Sequence, residues 1–283
     1  ASKLFNGCDV KLVIHPKPSK RLNVIERIKI KKLYKYGLLL LIAKYMSIGY
    51  NLINSGSMMK SLKRKEEVYF SEYVKEYNKI PSQCIHELNT VNSQEAVELV
   101  KSYDIDIIVF LGGDIAKKDF INSAKVCSLN YHSGVSPFYN GNKTIFHAVS
   151  DFRPNFAGGT LMYITEKIDG GRIISQYLPE IKEDDSAADI FMRNIEGAVQ
   201  LYLDFFKHLD LTDKIPEGVK QNKSMKNLFN RDWNINNDLR LAYFEKSKRM
   251  KHYCRNSKII KYYNLGCNDR EQLYSNTLST ILG

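Results

Sequence analysis

Between Asn130 and Gly141 the chain runs N-Y-H-S-G-V-S-P-F-Y-N-G, and an Asp-Gly-Gly turn follows at Asp169, Gly170 and Gly171. An Asn amide can donate to an oxygen that gains negative charge in a tetrahedral intermediate, and a neutral imidazole can take or give a proton near neutral pH. Asp169 could orient or charge-balance the imidazole of His132, or relay a proton through water. Asn130, His132 and Asp169 are thus placed where a reacting carbonyl could be handled, although an N-x-H at a strand end is more often a capped turn than a catalytic pair.

The elements that must position them are visible upstream. Asp106 to Leu111 is an unbroken β-rich run closed by Gly112 and Gly113, as expected of a strand buried on both faces of a parallel sheet. Val126 to Leu129 reads as the next strand, which places Asn130 and His132 where it ends. In open α/β sheets ligands bind at the carboxyl ends of strands. The i, i+2 spacing points both side chains to one face. Gly134 and Pro137 then force an irregular loop that lines a cleft.

Three motifs in order carry a family resemblance. N-x-H-x-G-x-x-P-x-Y-x-G from Asn130 to Gly141, G-x-T at Gly158 and Thr160, and D-x-G-x-I at Asp169, Gly171 and Ile173 resemble the formyltransferases that use 10-formyltetrahydrofolate. That family includes the glycinamide ribonucleotide, methionyl-tRNA and nucleotide-linked amino-sugar N-formyltransferases. The resemblance covers roughly residues 80 to 205. It implies an α/β, Rossmann-like, mostly parallel sheet flanked by helices, and it makes Asn130, His132 and Asp169 the catalytic residues. It also implies 10-formyltetrahydrofolate as formyl donor, held by Phe110, Leu111, Gly112, Gly113 and Ile115 and by the loop carrying Thr165 and Ile168, largely through backbone groups. Gly134, Pro137, Tyr139 and Gly141 are expected to bind the substrate.

Two departures stand out. Met162 occupies the place where many relatives carry a histidine, and Gly134-Val135-Ser136 looks more like the amino-sugar enzymes. The chain opens Ala1-Ser2-Lys3-Leu4-Phe5, as though inside a first helix, with Asp9 to His15 as the second strand. Either a first strand is missing or the N-terminal layout is unusual.

Composition agrees with an enzyme of this kind. A chain of 283 residues with 43% hydrophobic content can bury one sizeable core. Five cysteines without a C-x-x-C pair argue against a disulfide framework or zinc site, and the six histidines form no metal-binding pattern, so no metal is expected. His147 is expected to be a core or surface histidine. No membrane-spanning run is expected: Leu38 to Ala43 falls far short of roughly 20 residues. The net charge of +11 divides into +13 over residues 1–65, −9 over 66–210 and +7 over 211–283. Such basic flanks suit a phosphorylated partner, or solvated lysines alone.

The expected layout is a catalytic domain over residues 1–210, with a helical insertion over about 20–65, and a basic linker with C-terminal extension over 211–283. The insertion's basic stripe is expected to pack on the sheet, with contact to an anionic membrane surface the alternative. Asn92 or Ser93 should cap a helix from Gln94 to about Tyr103, and another should run from Ser186 to about His208. Leu211 to Asn230 reads as a linker, and Asp238 to Lys251 as helix rather than the alternating strands of an OB-like domain. That lowers a tRNA acceptor and leaves a nucleotide-linked amino sugar by elimination. Formylation of another amine, hydrolysis of the formyl-folate and a non-catalytic binder are the alternatives. A cytoplasmic location is expected, and a homodimer is open.

Overall fold

The computed structural model describes residues 9–17, 62, 64–71, 78–113, 115–263 and 265–282. The basic stripe, the apolar run at Leu38 to Ala43 and nearly all of the expected insertion lie outside these residues. At the far edge of that region, helix α1 covers residues 64–71.

The central sheet has five strands in the order β3 (Ile107–Phe110), β4 (Cys127–His132), β6 (Gly159–Tyr163), β7 (Ile173–Leu178) and β9 (Lys258–Lys261). Beside it, β1 (Val13–Pro16) and β2 (Ile85–Leu88) pair in parallel as a two-stranded sheet. β3 and β4 are parallel, whereas β4–β6, β6–β7 and β7–β9 are antiparallel. The sheet is thus mixed rather than mostly parallel. The physical reason is the connections: the nine-residue loop between β6 and β7 is too short for a parallel crossover, which needs a dozen residues or more.

β3 also departs from expectation. Among the described residues it is an edge strand of this sheet, and Val109 is 37% exposed instead of buried on both faces. β4 runs longer than expected, through Asn130 to His132, so the two residues lie within the ladder and not beyond it.

That ladder explains how β4 serves two faces. Leu129 and Tyr131 point to one side and pack under α5 (Ala187–Thr212), with Leu161, Ile174, Ala198, Leu201 and Phe205. The helix starts where expected, capped by Ser186 in a capping box with Asp189, and extends one turn past His208. Ile190, Asn194, Ala198, Leu201 and Phe205 recur at helical spacing along its buried stripe. Burying each large apolar side chain there contributes about 1.5–3 kcal/mol. Tyr131 also donates its hydroxyl to the Asn194 carbonyl (2.9 Å) or side-chain oxygen (2.8 Å), fixing β4 against the helix.

Helix α2 (Gln94–Ser102) begins with Ser93, whose side chain accepts from Ala96 N–H, and ends at Tyr103. Asn92 does something else: its amide donates to Ile115 O at 2.9 Å and accepts from Lys117 N–H at 2.7 Å, pinning the loop after β3 ahead of α3 (Lys118–Ile121). Helix α4 (Thr144–Ser150) packs against α5 and α6 (Ile235–Lys246). α6 confirms the helical reading of the tail.

The polar stretch expected as a linker is tied down. Val219 bridges to Ile173, and β8 (Asn227–Leu228) pairs in parallel with β5 (Asn140–Gly141). Beyond it, β9 completes the sheet edge, and α7 (Cys267–Leu282) covers the opposite face with Tyr274, Leu278 and Ile281 in a core shared with Val135, Phe138 and Tyr139. The described residues of the 211–283 stretch therefore contribute to the same core as the motif loop. No helix among the described residues is long and apolar enough to cross a membrane.

Candidate active site

Asn130 and His132 project from one face of β4, and Asp169 meets them from the β6–β7 loop. Everything converges on its carboxylate: Asn130 Nδ2 donates to Oδ1 at 3.3 Å, Gly141 N–H donates to Oδ2 at 2.7 Å, and His132 Nδ1 lies 3.2 Å from Oδ2. His132 is 6% exposed, so little water competes for its ring.

The second ring nitrogen fixes the histidine's orientation. Nε2 faces the Tyr139 carbonyl at 2.7 Å and, with only an acceptor there, carries the hydrogen and donates it. Nδ1 is then the nitrogen that faces Asp169 Oδ2. Asn130 uses one amide hydrogen on Asp169 and keeps a second for a ligand oxygen.

Asp169 itself has a positive φ of 45°, a conformation that costs a residue with a Cβ roughly 1–3 kcal/mol and that surrounding bonds must hold. Those bonds are present. Its carbonyl accepts from Asn140 Nδ2 at 3.2 Å and from Gln221 Nε2 at 2.8 Å, and Gln221 also reaches Gly171 O at 2.7 Å.

Beneath the loop lies a buried polar ladder. Thr160 donates to Gly134 O (2.7 Å) and accepts from Ser136 N–H (3.0 Å). Gln176 donates to Ser136 O (2.8 Å) and accepts from Tyr262 (2.7 Å), while Ser136 donates to Asn140 Oδ1 (2.8 Å). This satisfies an irregular backbone inside the protein, where unpaired groups are costly. The Ser136–Pro137 peptide is cis. Tyr139 caps the arrangement from outside, donating its hydroxyl to Asp151 Oδ2 at 2.9 Å; burial and that carboxylate raise its pKa.

The triad opens into a cavity of about 370 Å³. Of the expected donor-site residues, Phe110, Gly112, Gly113, Ile115, Thr165 and Ile168 line it. Leu111 does not, because it follows Phe110 along an extended chain and faces away; it is 48% exposed. Of the expected substrate-binding residues only Gly141 lines the wall. Gly134, Pro137 and Tyr139 are buried behind it, shaping the loop instead of touching the cavity. Gly134 leaves no room for a side chain: a Cβ there would overlap Tyr139 O and His132 Nε2.

Several lining or supporting residues carry no sequence signal of their own. Asn140 stands inside the motif at an unspecified position, and Gln221, Lys143, Phe191 and Phe229 lie outside all three motifs. Met162, at the departure from the pattern, is 1% exposed and pairs in register with Asn130. His147 is a core histidine, edge-on to Trp233 at 4.9 Å. Among the described residues, no group of three or more His, Cys, Asp or Glu is placed to hold a metal ion.

An α/β protein that sets an amide, an imidazole and a carboxylate around one cavity has the machinery of acyl transfer. The sequence profile described as Formyl transferase matches residues 53–205, more than half of the chain, and the protein belongs to that family. A methionyl-tRNA formyltransferase of Staphylococcus epidermidis is 28% identical over 103 residues, covering 36% of this chain and 33% of its own. The chain thus spans about a third of the length of the curated relatives it matches. Among solved structures, the formyltransferase PseJ from Anoxybacillus kamchatkensis, in complex with UDP-4,6-dideoxy-4-formamido-L-AltNAc and tetrahydrofolate, shares 21% identity. That overlay covers 52% of this chain and 75% of that one, with a TM-score of 0.44. A 4-N formyltransferase from Francisella tularensis shares 20%, covering 60% and 64%, with a TM-score of 0.45.

Proposed function

We propose that the protein transfers a formyl group from 10-formyltetrahydrofolate to a primary amine, and that the amine belongs to a nucleotide-linked amino sugar. The observation that carries the transfer chemistry is the convergence of Asn130, His132 and Gly141 on the Asp169 carboxylate at the cavity floor.

The cavity's residues fit such a donor. Phe110, Ile115, Ile164 and Ile168 offer apolar walls to a flat heterocycle, and Gly112 and Gly113, at φ of 72° and 118°, present main-chain groups without side chains. The donor supplies an activated formyl carbon. Asn130 donates its remaining amide hydrogen to the carbonyl oxygen as negative charge develops there, a kind of contact worth about 2.7–4 kcal/mol in transition-state stabilisation. The His132–Asp169 pair, with Nε2 anchored on Tyr139 and Nδ1 facing the carboxylate, moves the proton through a water: one leaves the attacking amine and one reaches the leaving nitrogen, so protons balance over the turnover. Asp169 aligns both partners and carries the counter-charge when Nδ1 is protonated.

For the acceptor, support comes from size and from the tail. A cavity of about 370 Å³ suits a small-molecule amine. The described residues after Leu211 form two short strands, two α-helices, two short 3-10 helices and turns that join the main core, not a five-stranded barrel. The methionyl-tRNA formyltransferase match favours an aminoacyl-tRNA amine as second reading.

The test is mass spectrometry after incubation with 10-formyltetrahydrofolate and a panel of nucleotide-linked amino sugars, glycinamide ribonucleotide and methionyl-tRNA. A formyl mass gain on an amino-sugar nucleotide is the expected result. Gain on methionyl-tRNA alone, or release of formate without any acceptor, overturns the acceptor reading, and no turnover with any amine overturns the reaction.

A further inference from the structure

The cavity's lining residues fall into two groups, and the proposed donor accounts for one. Phe110, Ile115 and the Thr165–Ile168 loop form the first. The second is built where β5 pairs with β8 and α4 begins, from Asn142, Lys143, Thr144, Leu228 and Phe229.

Lys143 stands out there. It precedes α4 in a left-handed conformation, φ 54°, which few residues with a Cβ adopt. Its ammonium lies over the Trp233 ring, 5.2 Å from the centroid, and among the described residues no carboxylate lies within ion-pair distance of it. Burial lowers its pKa, with the more distant Asp238 carboxylate opposing the shift. A half-buried cation with a ring against it and its carboxylate neighbour beyond ion-pair distance has lost water without gaining a close counter-ion. An anion entering here supplies what is missing.

Phe229 provides the second, independent feature. It is 39% exposed although it lines the cavity, its amide is anchored on Asp232 Oδ2 at 2.7 Å, and the Arg231 guanidinium lies 4.8 Å from its ring centroid. An anchored aromatic ring and a cation without an ion-pair partner among the described residues line the same cavity, which matches a ligand that couples an anionic group to a flat ring.

We propose that Lys143 and Phe229 form the acceptor's specificity subsite, Lys143 pairing with a phosphate group and Phe229 receiving the face of a base or sugar ring. The identity of the linked amine rests on the formyl-transfer reading; the phosphate contact does not.

Titration calorimetry on the full chain separates the two. Inorganic pyrophosphate, UDP, dTDP and uridine are the probes, applied to the wild type, Lys143→Met, Lys143→Arg and Phe229→Ala, with Lys167→Met as the control for the cavity's other lysine. Pyrophosphate should bind the wild type, lose about tenfold or more in affinity in Lys143→Met, and recover in Lys143→Arg. Lys167→Met should leave it unchanged. At least one nucleoside diphosphate should bind more tightly than pyrophosphate, and that surplus should vanish in Phe229→Ala. Pyrophosphate that fails to bind the wild type, or binds Lys143→Met equally well, overturns the subsite. If the anion data hold while no amine is formylated, the subsite stands and the transfer reading falls.

Discussion

Gln221 holds Asp169 in place: one side-chain nitrogen donates to Asp169 O at 2.8 Å and to Gly171 O at 2.7 Å, across about fifty residues of sequence. It thereby braces both ends of a turn whose aspartate sits at φ 45°. Replacing Gln221 by Met keeps the volume and removes both bonds. Loss of about 1–3 kcal/mol of stability is expected, with kcat down about tenfold or more and the donor KM close to unchanged, because the carboxylate drifts while the donor walls stay. A thermal melt and a KM-against-kcat comparison check this. A variant with lowered stability but full kcat would make Gln221 a purely structural tie.

His132 and Asp169 should behave as a unit. His132→Asn removes the imidazole from the pair that moves the proton, and a loss of about 10²–10⁴-fold in kcat is expected with folate affinity nearly intact. Asp169→Asn leaves one oxygen to serve Asn130, Gly141 and His132, which now occupy two. A similar loss in kcat is expected there, and the double variant should cost little more than either single one. Steady-state kinetics with donor binding measured separately decides it: a rise in KM alone for Asp169→Asn would restrict that residue to binding.

Much of this site was legible because its chemistry sits on motifs with fixed spacing. Asn130 and His132 two apart on a strand had to share a face, and Asp169 followed in a glycine turn. The parts that distant chain holds in place carry no such mark. Gln221 lies in a polar, Pro- and Gly-bearing stretch whose composition is that of any loop, and only the fold brings it under Asp169. β9 is four residues long, and α7 buries Arg270, Tyr274, Thr277, Leu278 and Ile281, a helical stripe too polar to stand out as a period. The mixed sheet was hidden for a related reason, since strand direction depends on which edges pair and a run of β-formers does not record it. The company of Gly134, Pro137 and Tyr139 in the motif suggests substrate contact, yet they lie one layer behind the cavity wall.

Gly134 makes that work measurable. A Cβ added there would overlap Tyr139 O and His132 Nε2, the two atoms that form the 2.7 Å bond orienting the imidazole. Gly134→Ala must therefore push the ring or the loop aside. A drop of about a hundredfold in kcat is expected with a stability loss of about 1–3 kcal/mol. Wild-type kcat in a folded Gly134→Ala variant would show that the Tyr139 carbonyl does not set the geometry of catalysis.

The last prediction concerns pH, through a histidine outside the triad. His147 is 3% exposed, its Nε2 finds no hydrogen-bond partner among the described residues, and Trp233 covers it edge-on. Burial is the main cause that pushes its pKa down from 6.5 to about 4; Asp151 opposes the shift, and Lys226 and Lys143 add to it. Below about 6.5 the unfolded chain takes up a proton that the folded one refuses, so the folded state loses stability as pH falls from 6.5 toward 4 and regains it on the way up. Above 6.5 the residue is neutral in both states and contributes no slope. His147→Gln removes the titration at similar size, so its melting temperature should fall less steeply than the wild type's between pH 6.5 and 4, while the two curves run parallel above pH 7. Curves that stay parallel through the acid range would mean that His147 takes up its proton as easily folded as unfolded, and that the acid limb belongs to the carboxylates.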